Sequence, residues 1–408
     1  MKILFLNNFY YLRGGSERVL FEEMRMLQEA GHEVAIFTRA YPHNLSVPYE
    51  RFFPAAIQRD SYRVSLEGVR TVREMIYSRS ARQGLRRLLE EYKPDLVHAH
   101  NIYGGLSTSV LDALKEKNVP AVMTLHDLKL LCPSYLMLNH GRVCEQCKGN
   151  KFYHAVLTRC HKDNTIASAI YAAESYFSHF LRKYASVKLF IAPSMFLLNK
   201  HREFGFDAGR FVHIPNPVNL NGVVASGQAG GYLLYFGRLS REKGIRTLIA
   251  ALGRMRSDLS LHIVGDGPDR LALEDMVTQG QKEHIKFTGY LTADPLGKVI
   301  DSARVVIVPS EGYENAPMAI LESLSRGKPV IGARIGGIPE MIDDGINGYL
   351  FEPGNAADLQ KKLELFLALP TDHIIEMGRA ARRKAERYGT AFHYDRLMHA
   401  YQNSLGKA

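Results

Sequence analysis

The chain has 408 residues, 46% apolar and 23% charged, which excludes a disordered or fibrous protein and is too long for one ordinary core, so two domains are expected. No apolar run approaches the ~18 residues of a membrane span. The apolar part of Met1-Lys-Ile-Leu-Phe-Leu-Asn-Asn is too short for a secretory leader, so a cytoplasmic chain is expected. The formal net charge of +10 is lopsided: residues 1–216 hold 29 Lys+Arg against 20 Asp+Glu, and residues 217–408 hold 23 against 22. The excess crowds between Arg51 and Lys93, including Arg59, Arg63, Arg70, Arg73, Arg79, Arg82, Arg86 and Arg87. It reads either as a solvated face or as a surface for an anionic partner, such as acidic phospholipid or a phosphorylated acceptor. Nucleic acid is not expected, because neither an aromatic-interleaved RNA motif nor zinc-finger spacing is present.

Strand and helix signals alternate along the chain. Ile3–Asn7 reads as a strand. Glu17–Ala30 carries Val19, Leu20, Met24 and Leu27 at helical spacing, and Gly31 ends it. Val34–Thr38, Leu96–Ala99, Ala121–Leu125 and Leu189–Ala192 read as further strands with helices between. Residues 217–230 crowd Asn-Gly, Ser-Gly and Gly and read as a linker. The alternation restarts with strands at Tyr232–Phe236, Ser260–Val264, Lys286–Phe287, Val305–Val308 and Pro329–Ile331. Helices are expected to begin near Gly244, Pro268, Pro295, Pro317 and Ala356. This pattern predicts an α/β protein of two Rossmann-like domains with parallel sheets facing a central cleft. The expected divisions are 1–216, with a Cys-rich insertion at 132–160, and 231–388. The last stretch, 389–408, is expected to return to the first domain as a helix.

Ligands of open α/β sheets bind beyond the carboxyl ends of the strands, so motifs there are candidate sites. Gly14-Gly15 follows the first strand and permits close backbone approach by a ligand, although a plain turn explains it equally. It is not the dinucleotide fingerprint, which argues against NAD. His98-Ala-His100 ends one strand and His126-Asp127 ends the next. Arg238 and Lys243 lie in Gly237-Arg-Leu-Ser-Arg-Glu-Lys243-Gly244, before a helix, where two cations can hold a diphosphate. Gly265-Asp266-Gly-Pro is a strand-end turn that could border a nucleotide. Glu314 sits in a strand-to-helix loop, and Glu322 stands eight residues on, more than a turn into the helix. A phosphate between two sets of hydroxyls would suit that pair, while acidic residues near a helix start are also common without function.

Taken in order, these motifs resemble the retaining glycosyltransferases of the GT-B fold, family four. The set comprises Gly-Gly-x-Glu, Val-His-Ala-His, Leu-His-Asp, Ile-Pro-Asn-Pro-Val at 214–218, Gly-Arg-Leu-x3-Lys-Gly, Val-Gly-Asp-Gly-Pro, Glu-x7-Glu, Gly-x-Pro-Val and Gly-Gly-Ile-Pro-Glu. The resemblance implies transfer of a sugar from a nucleotide diphosphate to an acceptor hydroxyl with retention, without a cofactor for the chemistry. It implies that Glu322 holds the ribose, Glu314 the donor sugar, and Arg238 with Lys243 the diphosphate. His126 would lie near the donor sugar and acceptor, and Gly15 against the phosphate or the reacting centre. Gly14, Asn216, Gly265, Asp266, Asn315 and Ala316 would complete the donor site. A UDP- or GDP-sugar donor and a glycan or lipid-linked acceptor are expected, in surface polysaccharide or glycolipid synthesis at the inner face of a membrane. Glu311-Gly-Tyr-Glu314 departs from the family's usual Glu-Gly-Phe-Gly, and the eight-residue spacing to Glu322 selects Glu314 over Glu311. A nucleotide-sugar epimerase and a non-catalytic nucleotide-sugar sensor are the alternative functions.

All four cysteines fall in one stretch, Cys132-x11-Cys144-x2-Cys147-x12-Cys160. Clustered thiols in a cytoplasmic chain suggest a structural zinc, with reduced buried thiols or a labile disulfide as the alternatives.

Overall fold

Short β-branched and aliphatic runs, buried on both faces, build two parallel sheets. The computed structural model describes residues 1–57, 66–255, 259–280 and 284–406. In the N-terminal half the strands are β1 (Lys2–Leu6), β2 (Glu33–Phe37), β3 (Leu96–Ala99) and β4 (Ala121–Thr124). A small hairpin follows, β5 (Leu138–Asn139) and β6 (Arg142–Val143), and then β7 (Leu189–Ala192) and β8 (Phe211–His213). The C-terminal half supplies β9 (Tyr232–Phe236), β10 (Leu261–Val264), β11 (Ile285–Gly289), β12 (Ala303–Val308), β13 (Val330–Ala333) and β14 (Gly348–Phe351). The sheet orders are β2-β1-β3-β4-β7-β8 and β11-β10-β9-β12-β13-β14. Ile3–Leu6 and Val305–Ile307 are fully buried, as expected for strands covered by helices on both faces.

The chain divides into two compact units. One comprises Met1–Asn139, Cys144–Pro217 and His393–Ala408, and the other His140–Val143 and Val218–Phe392. In the first unit the helix Gly15–Glu29 buries Val19, Leu20, Met24 and Leu27 against the sheet. The helix Thr390–Ser404 adds Leu397, Ala400 and Tyr401 to the same core.

The ten strands expected from the sequence are all present. Four strands are additional, the hairpin strands β5 and β6 and the edge strands β8 and β14. Phe211–His213 is three half-buried residues, and β14 opens on Gly348, so neither gives a clear strand signal. Helix starts also shift. Pro317 precedes the helix Met318–Ser325 with extended backbone, and Gly244 caps Ile245–Leu252 in a left-handed conformation. The helix after Pro268 begins at Arg270. Within the basic run, Arg51 pairs with Glu91, and Arg82 and Arg86 pair with Glu116, so part of that charge is neutralised internally. Arg59 and Arg63 lie outside the described residues. Among the described residues no helix is long and apolar enough to cross a membrane.

Candidate active site

In the second unit the strand order reverses between β9 and β12, the switch point at which such sheets open a crevice. The loop after β9 carries Arg238 and Lys243, and the loop after β12 carries Glu314. Lys243 Nζ donates to Glu314 Oε1 at 2.6 Å, with the two side chains 29% and 13% exposed. Ser310 Oγ donates to the same oxygen at 2.6 Å. Glu322 is the fifth residue of the helix Met318–Ser325, half-buried, and Asn315 and Ala316 stand just before that helix, also half-buried. Arg238 is exposed, and its carbonyl accepts from the Tyr235 hydroxyl at 2.8 Å.

Backbone-to-backbone packing fixes this arrangement. A Cβ on Gly244 would lie 1.9 Å from the Pro309 carbonyl oxygen, and one on Gly336 would lie 2.1 Å from that of Glu314. Both glycines have positive φ, +66° and +60°, so any side chain would be strained there as well as crowded. The Gly337 amide donates to the Glu314 carbonyl at 2.8 Å. Gly265 approaches the Gly237 carbonyl equally closely, which joins the loops after β9 and β10. Asp266 is exposed and pairs with Arg270 at 3.6 Å. Glu311 is engaged elsewhere: its carboxylate accepts from Thr247 Oγ1 at 2.6 Å, and its amide donates to the Glu242 carbonyl at 2.8 Å.

In the first unit β1, β3 and β4 lie side by side. Their carboxyl ends bring together His98, His100 and His126. Gly14 and Gly15, at the start of the first helix, are exposed. Asn216 is buried, in the stretch after β8. His100 Nδ1 and His126 Nε2 are 2.8 Å apart. Behind them lies Glu23, which is fully buried. Its carboxylate faces His393 Nε2 at 3.1 Å, His100 Nε2 at 3.2 Å and His98 Nδ1 at 3.4 Å.

Burial would push the Glu23 carboxyl up, but the neighbouring His98 and His100, with hydrogen bonds from His100 and His393, hold it well below the usual carboxylate range. It is therefore ionised. His393 Nδ1 meets the Pro215 carbonyl at 2.7 Å and Nε2 meets Glu23, so both of its partners are acceptors. His98 is kept neutral by burial, its two nitrogens bonded to Tyr401 and Thr124 at 2.8 Å each. The carboxylate favours a proton on His100 Nε2. His100 Nδ1 then accepts from His126 Nε2, which leaves His126 Nδ1 as an acceptor. Burial, with His100 beside it, lowers the His126 pKa to about 3, so the ring is neutral at physiological pH.

The ligand atoms of Glu23, His98 and His100 lie within 4.8 Å of one another, a spacing that suits a cation. Most of their polar atoms already serve Tyr401, Thr124, His126 and His393, so a polar core network accounts for them. Glu23 has a readable signal, because it lies three residues after Leu20 and four before Leu27, on the buried stripe of its helix. Ser310 had no distinguishing signal.

Buried neutral histidines make stability depend on pH. His201 is fully buried, and desolvation lowers its pKa to about 4. The unfolded chain protonates such groups below ~6.5 while the folded chain does not, so the stability present above that pH is lost as pH falls toward the folded value. His201 alone should cost ~2 kcal/mol at pH 5 relative to pH 8, and His126 acts in the same direction. Urea unfolding at both pH values measures this, and a His201→Phe variant should flatten the profile.

Comparison with known proteins accords with this architecture. Residues 13–221 match the family described as Glycosyltransferase Family 4, and residues 225–387 match Glycosyl transferases group 1. A sulfoquinovosyl transferase of Arabidopsis thaliana is 35% identical over 160 residues, which cover 38% of this chain and 30% of that protein. Such matches span less than half the length of the first curated relatives. A D-inositol 3-phosphate glycosyltransferase of Pseudarthrobacter chlorophenolicus is 26% identical over 404 residues, covering 92% of this chain and 87% of the relative. Among solved structures, HepE of Anabaena in complex with UDP and glucose superposes with a TM-score of 0.68 at 18% identity, covering 99% of this chain and all of that one. The first of these family matches spans more than half of the 408 residues, and the chain belongs to glycosyltransferase family 4, with the two-sheet GT-B fold.

Proposed function

We propose that this glycosyltransferase moves a sugar from a nucleotide diphosphate sugar to an acceptor hydroxyl with retention at the anomeric carbon. The observation that carries the reading is the Lys243–Glu314 pair at the switch point of the second sheet, with Glu322 a turn inside the adjoining helix. Glu322 holds the ribose hydroxyls and Glu314 a hydroxyl of the donor sugar. Asn216, Gly265, Asp266, Asn315 and Ala316 line the donor's path. As the bond to the leaving nucleotide lengthens, negative charge grows on the β-phosphate and is met by Lys243 and Arg238. These cations do what a divalent metal would otherwise do, so the chemistry is metal-independent. The sugar gains oxocarbenium character, the acceptor attacks from the face the phosphate leaves, and that phosphate takes the acceptor proton. His126 Nδ1 accepts a hydrogen bond from a sugar hydroxyl near the reacting centre, and Gly14-Gly15 admits a ligand close to the backbone.

The donor is a UDP- or GDP-sugar, a reading supported by the HepE relative, which is described with UDP and glucose. The N-terminal charge surplus favours an anionic glycan or lipid-linked acceptor. A thermal-shift panel of UDP-, GDP-, ADP- and dTDP-sugars tests the donor. One at 100 times its Kd should stabilise by ~2.7 kcal/mol. The same donor should release nucleotide diphosphate slowly without acceptor, and the product anomer, read by NMR, should match the donor. Binding without release would point to a sensor instead, and no response to any donor would reject the reading.

A further inference from the structure

The segment between β4 and β7 holds every cysteine of the chain. Distant positions meet there: Cys132, Cys144, Cys147 and Cys160 line one small pocket together with Ser134 and His154. All four are free thiols, two buried and two half-buried. The local core comprises Cys147, Phe152, Ala155 and Ala172, with Val156 and Cys160 packed against it. The five-residue helix Tyr153–Leu157 and the longer helix Thr165–Phe180, which contributes Ala172, support it.

The backbone here also needs holding. Among the described residues eleven non-glycine positions have positive φ, and eight lie in this stretch: Tyr135, Met137, His140, Asn150, Arg159, Lys162, Asp163 and Arg182. Such conformations persist only where the surroundings over-determine them. A cross-link through four side chains would supply that constraint.

We propose that Cys132, Cys144, Cys147 and Cys160 bind one Zn²⁺ as a tetrahedral four-thiolate structural site. The x2 spacing of Cys144 and Cys147 lets one loop supply two ligands, and Cys132 and Cys160 close the set from either side. On binding, four S–H bonds break, four Zn–S bonds form and four protons leave to solvent. The cluster carries a net charge of −2, partly offset by Lys148, Lys151, Arg159 and Lys162 in the same segment. The ion would also steady the loop that bears His126. Cys132 adjoins Pro133, whose carbonyl accepts from the buried Lys129 Nζ at 3.1 Å, and the Lys129 amide donates to Asp127 at 2.9 Å. The site does not depend on the donor assignment, so either can fail alone.

The test is elemental analysis of the full chain purified without added metal, with a thiol count under denaturing conditions. About one equivalent of zinc per chain with four thiols titratable after denaturation and chelation is expected. Less than a tenth of an equivalent, or fewer than four thiols because disulfides have formed, overturns the proposal. Cobalt exchanged into the intact protein should give thiolate charge-transfer bands and the d–d pattern of a tetrahedral site, and octahedral spectra would overturn it. Cys144→Ser should lose the metal. Should that variant not fold, the cobalt spectrum of the unaltered protein decides.

Discussion

Lys243→Ala should lower transfer by about a hundredfold to a thousandfold, the usual effect of removing one group that meets charge developing in a transition state. The loss should fall on kcat, because Lys243 is needed most when the β-phosphate leaves. Glu322→Ala should fall mainly on donor KM, since a ribose contact serves ground and transition states alike. Full turnover in either variant would reject the assignment. The 2.6 Å contact between Lys243 and Glu314 adds a finer expectation. If Lys243 holds the diphosphate as proposed, Glu314 competes for it, and Glu314→Gln should bind free nucleotide diphosphate more tightly while transferring more slowly. Isothermal titration with the nucleotide diphosphate, alongside steady-state kinetics, separates the two effects.

Glu23→Ala should destabilise the N-terminal unit by ~3 kcal/mol, because it leaves the buried rings of His393, His100 and His98 facing a site without their acceptor. For a unit of this size that is a fall in Tm of roughly 10 °C. His393→Gln should be costly for the mirror-image reason. The double variant Glu23→Ala/His393→Gln should lose less than the sum, since neither partner is left without the other. Additive losses in calorimetry would show that the two groups are not paired. The variants should also weaken activity in the folded fraction, because Glu23 sets the proton position on His100 and, through it, on His126.

Local pattern carried most of the fold into view. Apolar β-branched runs such as Val305–Val308 mark buried strands, and Leu20, Met24 and Leu27 mark a helix face, because both signals repeat within a few residues. The edge strands were silent because their runs are shorter still: β8 is three half-buried residues ending on His213, and β14 has three apolar residues after Gly348. At the site, Lys243 and Glu314 could be named from motifs, but not their contact, which joins residues 71 apart. Nor could the motifs show that Glu314 shares an oxygen between Lys243 and Ser310. The Glu23 network lay further out of reach, since Glu23 and His393 are 370 residues apart and nothing near His393 advertises a buried partner.

That separation has a bearing on how the protein is made. Nearly all of the C-terminal unit, Val218–Phe392, is one unbroken stretch, whereas the N-terminal unit is completed only by His393 and Tyr401. At ~5–20 residues per second, a ribosome needs on the order of tens of seconds after Glu23 to deliver its partner His393. During that interval the first sheet holds a carboxylate that it cannot bury. The half of the chain that emerges first is therefore the half that finishes last, and the nascent protein can have a formed donor-side sheet before its N-terminal core closes.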